Sequence, residues 1–433
     1  MSKKHYVKSR LCIVFIICMH SLIGCSGSSE PGMTHSNQIE QKKETVVLTT
    51  ISMFGGTDSS ADNYRQINEQ FMEDNPYVII EDNTQTADQD WKEKIAADFA
   101  VGNDPDVIQY FTDANASDVL AADKFVTIEE IRKEYPEYAS DTKPEALQAA
   151  ANPDGIMRAV PTTGYWEGIF CNKDLFDQYQ LELPYDWNKL LAAIEVFQQN
   201  DIIPIAISLD NVPHYLMEAL LLSSLGKDNY CEVPTMVTQQ WSYGLSMIKT
   251  LRDYGAFPKN TDTIDNEMAS ELFRNKLAAM QVEGSWYINS IYDQDNTVVV
   301  PFPNIPGGVE NQGAIVSGIS NGFYITKKAW NDPKKREIAV QFVNAHTCKE
   351  AVTAYQGSIG LAAVETDWNT EDITALEQSG LEYGESATSI CSPTDARISP
   401  EAYSKLVEGI VDVSTGELLP EELLDDVIEI NNR

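Results

Sequence analysis

The sequence predicts an α/β protein, and three observations carry that expectation. Runs dense in β-branched residues alternate with amphipathic stretches at helical spacing through the first part of the folded region. With 433 residues, the chain is long enough for two domains even after some 44 amino-terminal residues are set aside. Past the amino-terminal segment, no second apolar run reaches the roughly 20 residues a membrane span needs.

The first ten residues carry Lys3, Lys4, Lys8 and Arg10 and no acid, and the apolar run Leu11 to Met19 follows. A basic start and a short apolar core read as an export signal. Its end, Leu22-Ile23-Gly24-Cys25, resembles a bacterial lipobox, in which the cysteine is acylated and the chain is cut before it. The alternative is an ordinary signal peptide with an incidental cysteine. Residues 1–24 are thus expected to be a lipoprotein signal and Cys25 the lipidation site. Residues 25–44, rich in Ser, Gly, Asn and Gln without apolar periodicity, are expected to be a flexible tether.

TVVLTTISMF, residues 45–54, is a strand by its β-branched density, and Gly55-Gly56 breaks it. Ile67, Phe71 and Met72 mark a helix over 64–74 that Asn75-Pro76 stops. YVIIED is a second strand, WKEKIAADFAVG a helix closed by Gly102, and PDVIQYFTD a third strand. Strand alternating with helix argues for a parallel sheet, and ligands of such sheets lie beyond the carboxyl ends of the strands. Residues 54–58 and 110–113 fall there. Further on, helices are expected at 187–199, 215–225, 239–254, 267–275 and 332–347. Short strands are expected at 203–208, 276–284, 296–303 and 322–330.

Net charge is −35, which disfavours nucleic acid as a partner, because affinity for a phosphate backbone rests on Lys and Arg. Beyond residue 44 the cysteines are Cys171, Cys231, Cys348 and Cys391, without a C-x-x-C pair, and they are expected to be buried free thiols. Only His214 and His346 lie beyond residue 44, so His-rich metal sites and His-dependent triads are not expected. G-x-S-x-G, P-loop, H-E-x-x-H and EF-hand patterns are missing, and no metal or cofactor is expected.

Five stretches, in order, carry a resemblance that spans nearly all of residues 45–433. They are AVGNDPDVIQ, GIMRAVPTTGYWEGIFCNKDLF, LPYDWNKLLAAIEVFQ, NKLAAMQVEGSWYI and GAIVSGISNGFYITKKAWNDPKKREIAVQFVNAHTCKEAV. Together they resemble the bacterial extracellular solute-binding proteins of sugar ABC importers, the family that includes maltose-binding protein. Cys171 stands where that family usually has tyrosine, and Asp186 where it has threonine. The resemblance implies a periplasmic-binding-protein-like fold of two α/β lobes with a hinge and an interlobe cleft. Lobe 1 would be 45–160 and 302–347, and lobe 2 would be 167–298 and 350–433. Crossings would fall near 161–167, 299–303 and just after Thr347. It further implies a monomeric, non-enzymatic receptor on the outer face of the cell membrane, held there by its lipid only. Its partners would be a small carbohydrate and the membrane subunits of an ABC importer. A secreted glycoside-acting enzyme, or the same receptor fold binding a peptide or other polar solute, are the competing readings.

A sugar offers a C–H face to aromatic rings and an edge of hydroxyls to carboxylates, amides or Arg. Candidates follow from position in the resemblance. Tyr110 and Asp113 end the third strand. Of Tyr165 and Trp166, at the first crossing, one is expected to face the ligand and the other to pack, while Glu167 either bonds hydroxyls or caps the hinge. Trp286 follows Glu283 and Gly284, the glycine leaving room for a ligand near the backbone; the competing role for Trp286 is core. Phe54 and Asp58 flank the first loop. Asp395 and Arg397 pair opposite charges at the last cleft loop, for ligand or for structure. The turn 317–322 and His214 are weaker candidates.

Overall fold

The computed structural model describes residues 44–56, 58, 60–309, 313–356, 361–366 and 373–433, so the signal, the tether and Cys25 lie outside the described residues. Residues Glu44–Arg433 form one compact unit. Its strands are β1 (Val46–Ile51), β2 (Val78–Asp82), β3 (Val107–Phe111), β4 (Ala159–Val160), β5 (Tyr165–Asn172), β6 (Ile203–Ala206), β7 (Ala278–Gly284), β8 (Thr297–Val300), β9 (Ala314–Gly318), β10 (Asn321–Ile325) and β11 (Ser389–Cys391).

They make two sheets. The first has the order β2-β1-β3-β10-β4, and the second β11-β9-β5-β7-β6 with β8 also paired to β5. β1 runs parallel to β2 and β3 because helices return the chain between them. The helix Gln89–Val101 is one of these. Asp88 caps its start by accepting from the Trp91 N–H, and Gly102 ends it in the left-handed region at φ 79°. The expected parallel sheet stops there. β10 arrives from the other sheet and pairs antiparallel with β3 and β4, and β5 is antiparallel to β7, β8 and β9. Strands not joined by a helical crossover are free of the parallel constraint.

Each sheet has its own core. Alternation along β3 and β10 sends Val107, Phe323 and Ile325 to one face, with Leu48 and Phe342, and Ile108, Tyr110 and Tyr324 to the other, with Trp91 and Phe99. Around the second sheet, Ile169 and Cys171 join a large cluster with Leu220, Ile248 and Val427, while Trp166 and Phe170 join Tyr287 and Tyr383. Both departures from the family pattern have local explanations. Cys171 is fully buried in β5, and Asp186 caps the helix Trp187–Gln199 by accepting from the Lys189 N–H at 3.0 Å. Asp and Thr serve that cap alike.

The chain passes between the sheets at different places from two of those expected. The first passage is 161–164, between β4 and β5. The second lies between Gly318 and Asn321, because β8 and β9 both pair with β5 and keep 297–318 with the second sheet. The third comes after residue 356, since Ala351 and Tyr355 of the helix Lys349–Gln356 pack into the first sheet's core beside Phe54. The cysteines also differ from expectation: Cys171 and Cys391 are buried, Cys348 is partly so, and Cys231 is exposed.

Candidate functional site

β7 ends at Gly284, and a short 3₁₀ helix, Ser285–Ser290, carries Trp286 back over it. A methyl group added at Gly284 would land 2.2 Å from the indole, so the room that glycine provides is taken by the tryptophan's own ring rather than by a ligand. Glu283 fixes the ring from below. Its Oε1 accepts from Trp286 Nε1 at 2.9 Å and from the Gly284 N–H at 3.1 Å. Two tyrosines flank the indole: Tyr165 at 5.5 Å between centroids and Tyr215 at 5.3 Å, both tilted. Tyr215 opens the helix His214–Tyr230. The His214 ring lies 4.1 Å from Tyr215 and 6.3 Å from Tyr403, which belongs to the helix Pro400–Glu408. All five rings are half-buried, so together they form an apolar wall that still reaches solvent.

Carboxyls border this wall. The Asn115 side-chain amide donates to Asp113 at 3.0 Å and to Asp395 at 3.1 Å, joining the turn after β3 to the turn after β11. Burial, with the Asp395 charge second, pushes the Asp113 carboxyl up to about 7. Burial likewise lifts Glu283 and Glu218 to about 7. Glu218 is held by the Thr394 hydroxyl at 2.8 Å, the Thr394 N–H at 3.1 Å and the Tyr230 hydroxyl. Glu167 is driven well above the usual carboxylate range by burial and then by Glu218, Asp395 and Glu283. Among the described residues, its Oε2 and Asp395 Oδ1 are buried without a hydrogen-bond partner. Burial also raises the Tyr165, Tyr215 and Tyr403 hydroxyls well above their ordinary value, so they remain donors at neutral pH. Burial lowers His214 to about 4, so it is neutral there, and its Nδ1 has no partner among the described residues.

The structure thus gathers Trp286, Tyr165, Glu167, Glu283, Asp113 and Asp395 in one neighbourhood. It places the other candidates elsewhere. Trp166, 2 % exposed, is core: it stacks on Phe170 and meets Tyr383 edge to face. Tyr110, 1 % exposed, leans on Trp91, although its edge borders a gap of about 50 Å³ with Lys92, Asn115 and Tyr403. Phe54 packs between Tyr64 and Tyr355 in the first sheet's core. Asp58 accepts from the Ser60 N–H at 2.7 Å, and burial lifts its carboxyl to about 7. Among the described residues, no hydrogen bond or ring contact connects Phe54 or Asp58 to the Trp286 wall. Arg397 turns away from Asp395. Its guanidinium donates to the carbonyls of Tyr230, Glu232, Ser392 and Pro393 and lies 4.5 Å from the Tyr230 ring centroid, so it braces the loop. In the turn 317–322, the Ser317 hydroxyl donates to the Tyr165 carbonyl within the second sheet, and Asn321 accepts from Gln109 at 2.9 Å within the first, so each bond anchors one end of the passage to its own sheet.

Sequence reasoning missed Tyr215, Tyr403, Glu218 and Asn115. The only signal for Tyr215 was its place beside His214 at a helix start. A separate cavity of about 110 Å³ lies beside Glu167, lined mostly by apolar groups such as Leu222, Val282, Phe302 and Tyr383, and none of the wall's rings borders it. Among the described residues, no cluster of His, Cys, Asp or Glu is arranged to hold a metal ion, and no helix is long and apolar enough to cross a membrane.

Two α/β lobes with a wall of rings and carboxyls beside the passages between them agree with what comparison finds. The family of bacterial extracellular solute-binding proteins matches residues 57–352. The chain belongs to that family. No curated protein matches it. Among solved structures, it is similar to a chitin oligosaccharide binding protein, with 18 % identity, a TM-score of 0.75, and coverage of 86 % of this chain and 94 % of that one. It is also similar to a receptor of Streptomyces glaucescens solved unliganded and with acarbose (17 % identity, TM-score 0.71, 90 % and 98 % covered). A third is a sugar transporter of Bacillus licheniformis in complex with stachyose (15 % identity, TM-score 0.66, 90 % and 100 % covered). At these identities the likeness is one of fold. Membership of the family makes the chain an extracellular solute-binding protein.

Proposed function

We propose that this protein is a lipid-anchored carbohydrate receptor that delivers its ligand to an ABC importer and performs no chemistry on it. The observation that carries the reading is the Trp286 ring, locked by Gly284 and Glu283 and flanked by Tyr165 and Tyr215, with carboxyls and tyrosine hydroxyls at its border. A flat apolar surface suits the C–H face of a pyranose, and acceptors and donors at its edge suit the hydroxyls. Sugar complexes among proteins of the same fold support the same reading. The first lobe would comprise 46–160 and 321–356, and the second 165–318 and 375–431, with closure about the three passages burying the ligand. Cys25 would be the acyl acceptor, and the protein would act as a monomer.

A thermal-shift screen against a sugar library tests the ligand class, because a ligand at 100 times its Kd stabilises the folded state by about 2.7 kcal/mol. A panel in which peptides raise Tm and sugars do not would replace the carbohydrate with a peptide. Long incubation with oligosaccharides should return them uncut; shortened products would make the protein an enzyme. Replacing Cys25 by Ala should release the protein or leave it uncleaved, and a correctly cut Cys25→Ala chain still bound to membranes would remove the lipid anchor from the reading.

A further inference from the structure

We propose that Cys231 and Cys391 are joined by a disulfide in the exported protein, tying the end of the helix His214–Tyr230 to β11 under the turn that carries Asp395. Their sulfur atoms lie 2.8 Å apart although 160 residues separate them in sequence. That is well inside the contact distance of two unbonded sulfurs, and a small side-chain adjustment closes it to a bond. The alignment does not depend on the thiols. Arg397, six residues beyond Cys391, donates to the carbonyls of Tyr230 and Glu232 on either side of Cys231, while Thr394 donates to Glu218, which precedes the break in this helical segment at Gly226. The Arg397 bonds therefore clamp the two segments that the disulfide would cross-link. The other described thiols have no such partner: Cys171 Sγ contacts the Ile169 carbonyl, and Cys348 Sγ the Ala345 carbonyl.

Compartment favours oxidation. The family is extracellular, and disulfides persist where cytosolic reductants do not reach. The chemistry needs an oxidant, and a protein or small-molecule disulfide supplies it. Cys231 is exposed, so its thiolate attacks a sulfur of that disulfide and forms a mixed disulfide, releasing one thiolate of the oxidant. The buried Cys391 then loses its proton and attacks the Cys231 sulfur. The intramolecular S–S bond forms, the electron pair leaves with the oxidant's second thiolate, and the two protons lost by the cysteines end on the two thiols of the reduced oxidant. The product fixes the backbone four residues before Asp395, which holds the acidic border of the site in place before ligand arrives.

The test uses the full exported chain, equilibrated with oxidised glutathione, denatured in N-ethylmaleimide without reductant, digested and analysed by mass spectrometry. The expected result is a cross-linked peptide pair containing Cys231 and Cys391, with Cys171 and Cys348 alkylated. Reductant should then lower the Tm of the native protein by at least about 3 °C, as loss of a long-loop disulfide does. The exposed-site variant Cys231→Ser should show no such reductant effect. Recovery of Cys231 and Cys391 as alkylated thiols after the glutathione treatment would overturn the proposal. So would an equal response of Cys231→Ser and the parent protein to reductant.

Discussion

Trp166 and Trp286 stand at the same end of two paired strands, with Glu167 directly opposite Gly284, and they do opposite things. Trp166 lies within β5 and shares a face with Phe170, so alternation carries its ring into the second sheet's core. Trp286 lies two residues past the end of β7, where alternation no longer governs it. A helical turn folds it back over Gly284, and Tyr165 and Tyr215 hold it half-open. The difference teaches that a ring inside a strand belongs to the sheet's faces, whereas a ring just beyond the strand is placed by its neighbours and can be left half-exposed.

The largest expected effect follows from the buried member of the pair. Trp166→Ala should cost about 3–5 kcal/mol of folding stability, because it deletes a ring packed against Phe170 and Tyr383. Chemical denaturation measures it. A Tm within a few degrees of the parent would place Trp166 on the ligand side and erase the distinction.

Trp286→Ala comes next, with the loss in binding rather than folding. Stacking a sugar face on the indole removes roughly 100 Å² of apolar surface from water, or about 2.5 kcal/mol. Truncation should therefore weaken carbohydrate binding by about 60-fold by calorimetry. The unliganded Tm should stay within a few degrees. Gly284→Ala supplies an independent check, since its methyl group must displace the same indole. A variant with displaced ring and full affinity would show that the wall is not the binding surface.

The same contrast explains how far the sequence could be read. Most strand and helix identities followed from periodicity, and Gly102 and Asn75-Pro76 marked real helix ends, but the strand expected over 322–330 stops at Ile325 and Lys327–Asn331 is a helix that Thr326 caps. Tyr110 could have been recognised as core, since it lies two residues from Ile108 and so on the same face of β3. Its place near a strand end suggested ligand instead. The Asp395–Arg397 pair was legible only as two charges close in sequence; that Arg397 spends its donors on carbonyls near residue 231 depends on a contact across about 160 residues. Tyr215, Tyr403 and Glu218 carry no local pattern that separates them from other helical residues. The return passages were misplaced for a similar reason: which sheet β9 joins is decided by pairing with Trp166 and Cys391, and not by any property of the strand itself.

A smaller effect distinguishes the acidic border from ordinary surface carboxylates. Glu218 and Glu283 are buried, and each is raised from its ordinary 4.5 to about 7. A carboxyl whose pKa is higher folded than unfolded stabilises the fold below about 4.5 and loses that contribution as pH rises through about 7. His214 acts in the other sense, losing its contribution as pH falls from about 6.5 towards about 4. From pH 8 down to about 6.5 the carboxyls dominate, since burial lowers both His214 and His346, which lose most of their contribution only below about 6.5. Together, Glu218 and Glu283 should therefore add on the order of 1–2 kcal/mol over that interval, and Asp58 and Asp113, also lifted to about 7, act in the same sense. Thermal denaturation at each pH measures the gain, and Glu218→Gln should reduce it. A Tm that falls as pH is lowered from 8 to 6.5 would mean that these groups are ionised and paired in the native state.

The smallest expected effect concerns the contact that links the two sheets' turns. Asn115 follows β3 of the first sheet and Asp395 follows β11 of the second, and the amide bridges Asp395 to Asp113. Because one carboxylate belongs to each side, the bridge exists only when the turns approach, so it favours the closed arrangement and contributes little to either lobe alone. A single net hydrogen bond contributes about 1 kcal/mol. Asn115→Ala should therefore shift the balance between open and closed forms by about fivefold and weaken ligand binding by at most that factor. Folding stability should scarcely change, since Asp113 still accepts from the backbone N–H of residue 115. X-ray scattering of the unliganded variant should give a radius of gyration equal to or larger than the parent's, and saturating ligand should bring the two together. An Asn115→Ala protein that binds normally but melts early would show that the amide serves the turn after β3 rather than closure. A variant that binds more tightly would show that juxtaposing Asp113 and Asp395 opposes closure, with Asn115 only partly offsetting their repulsion.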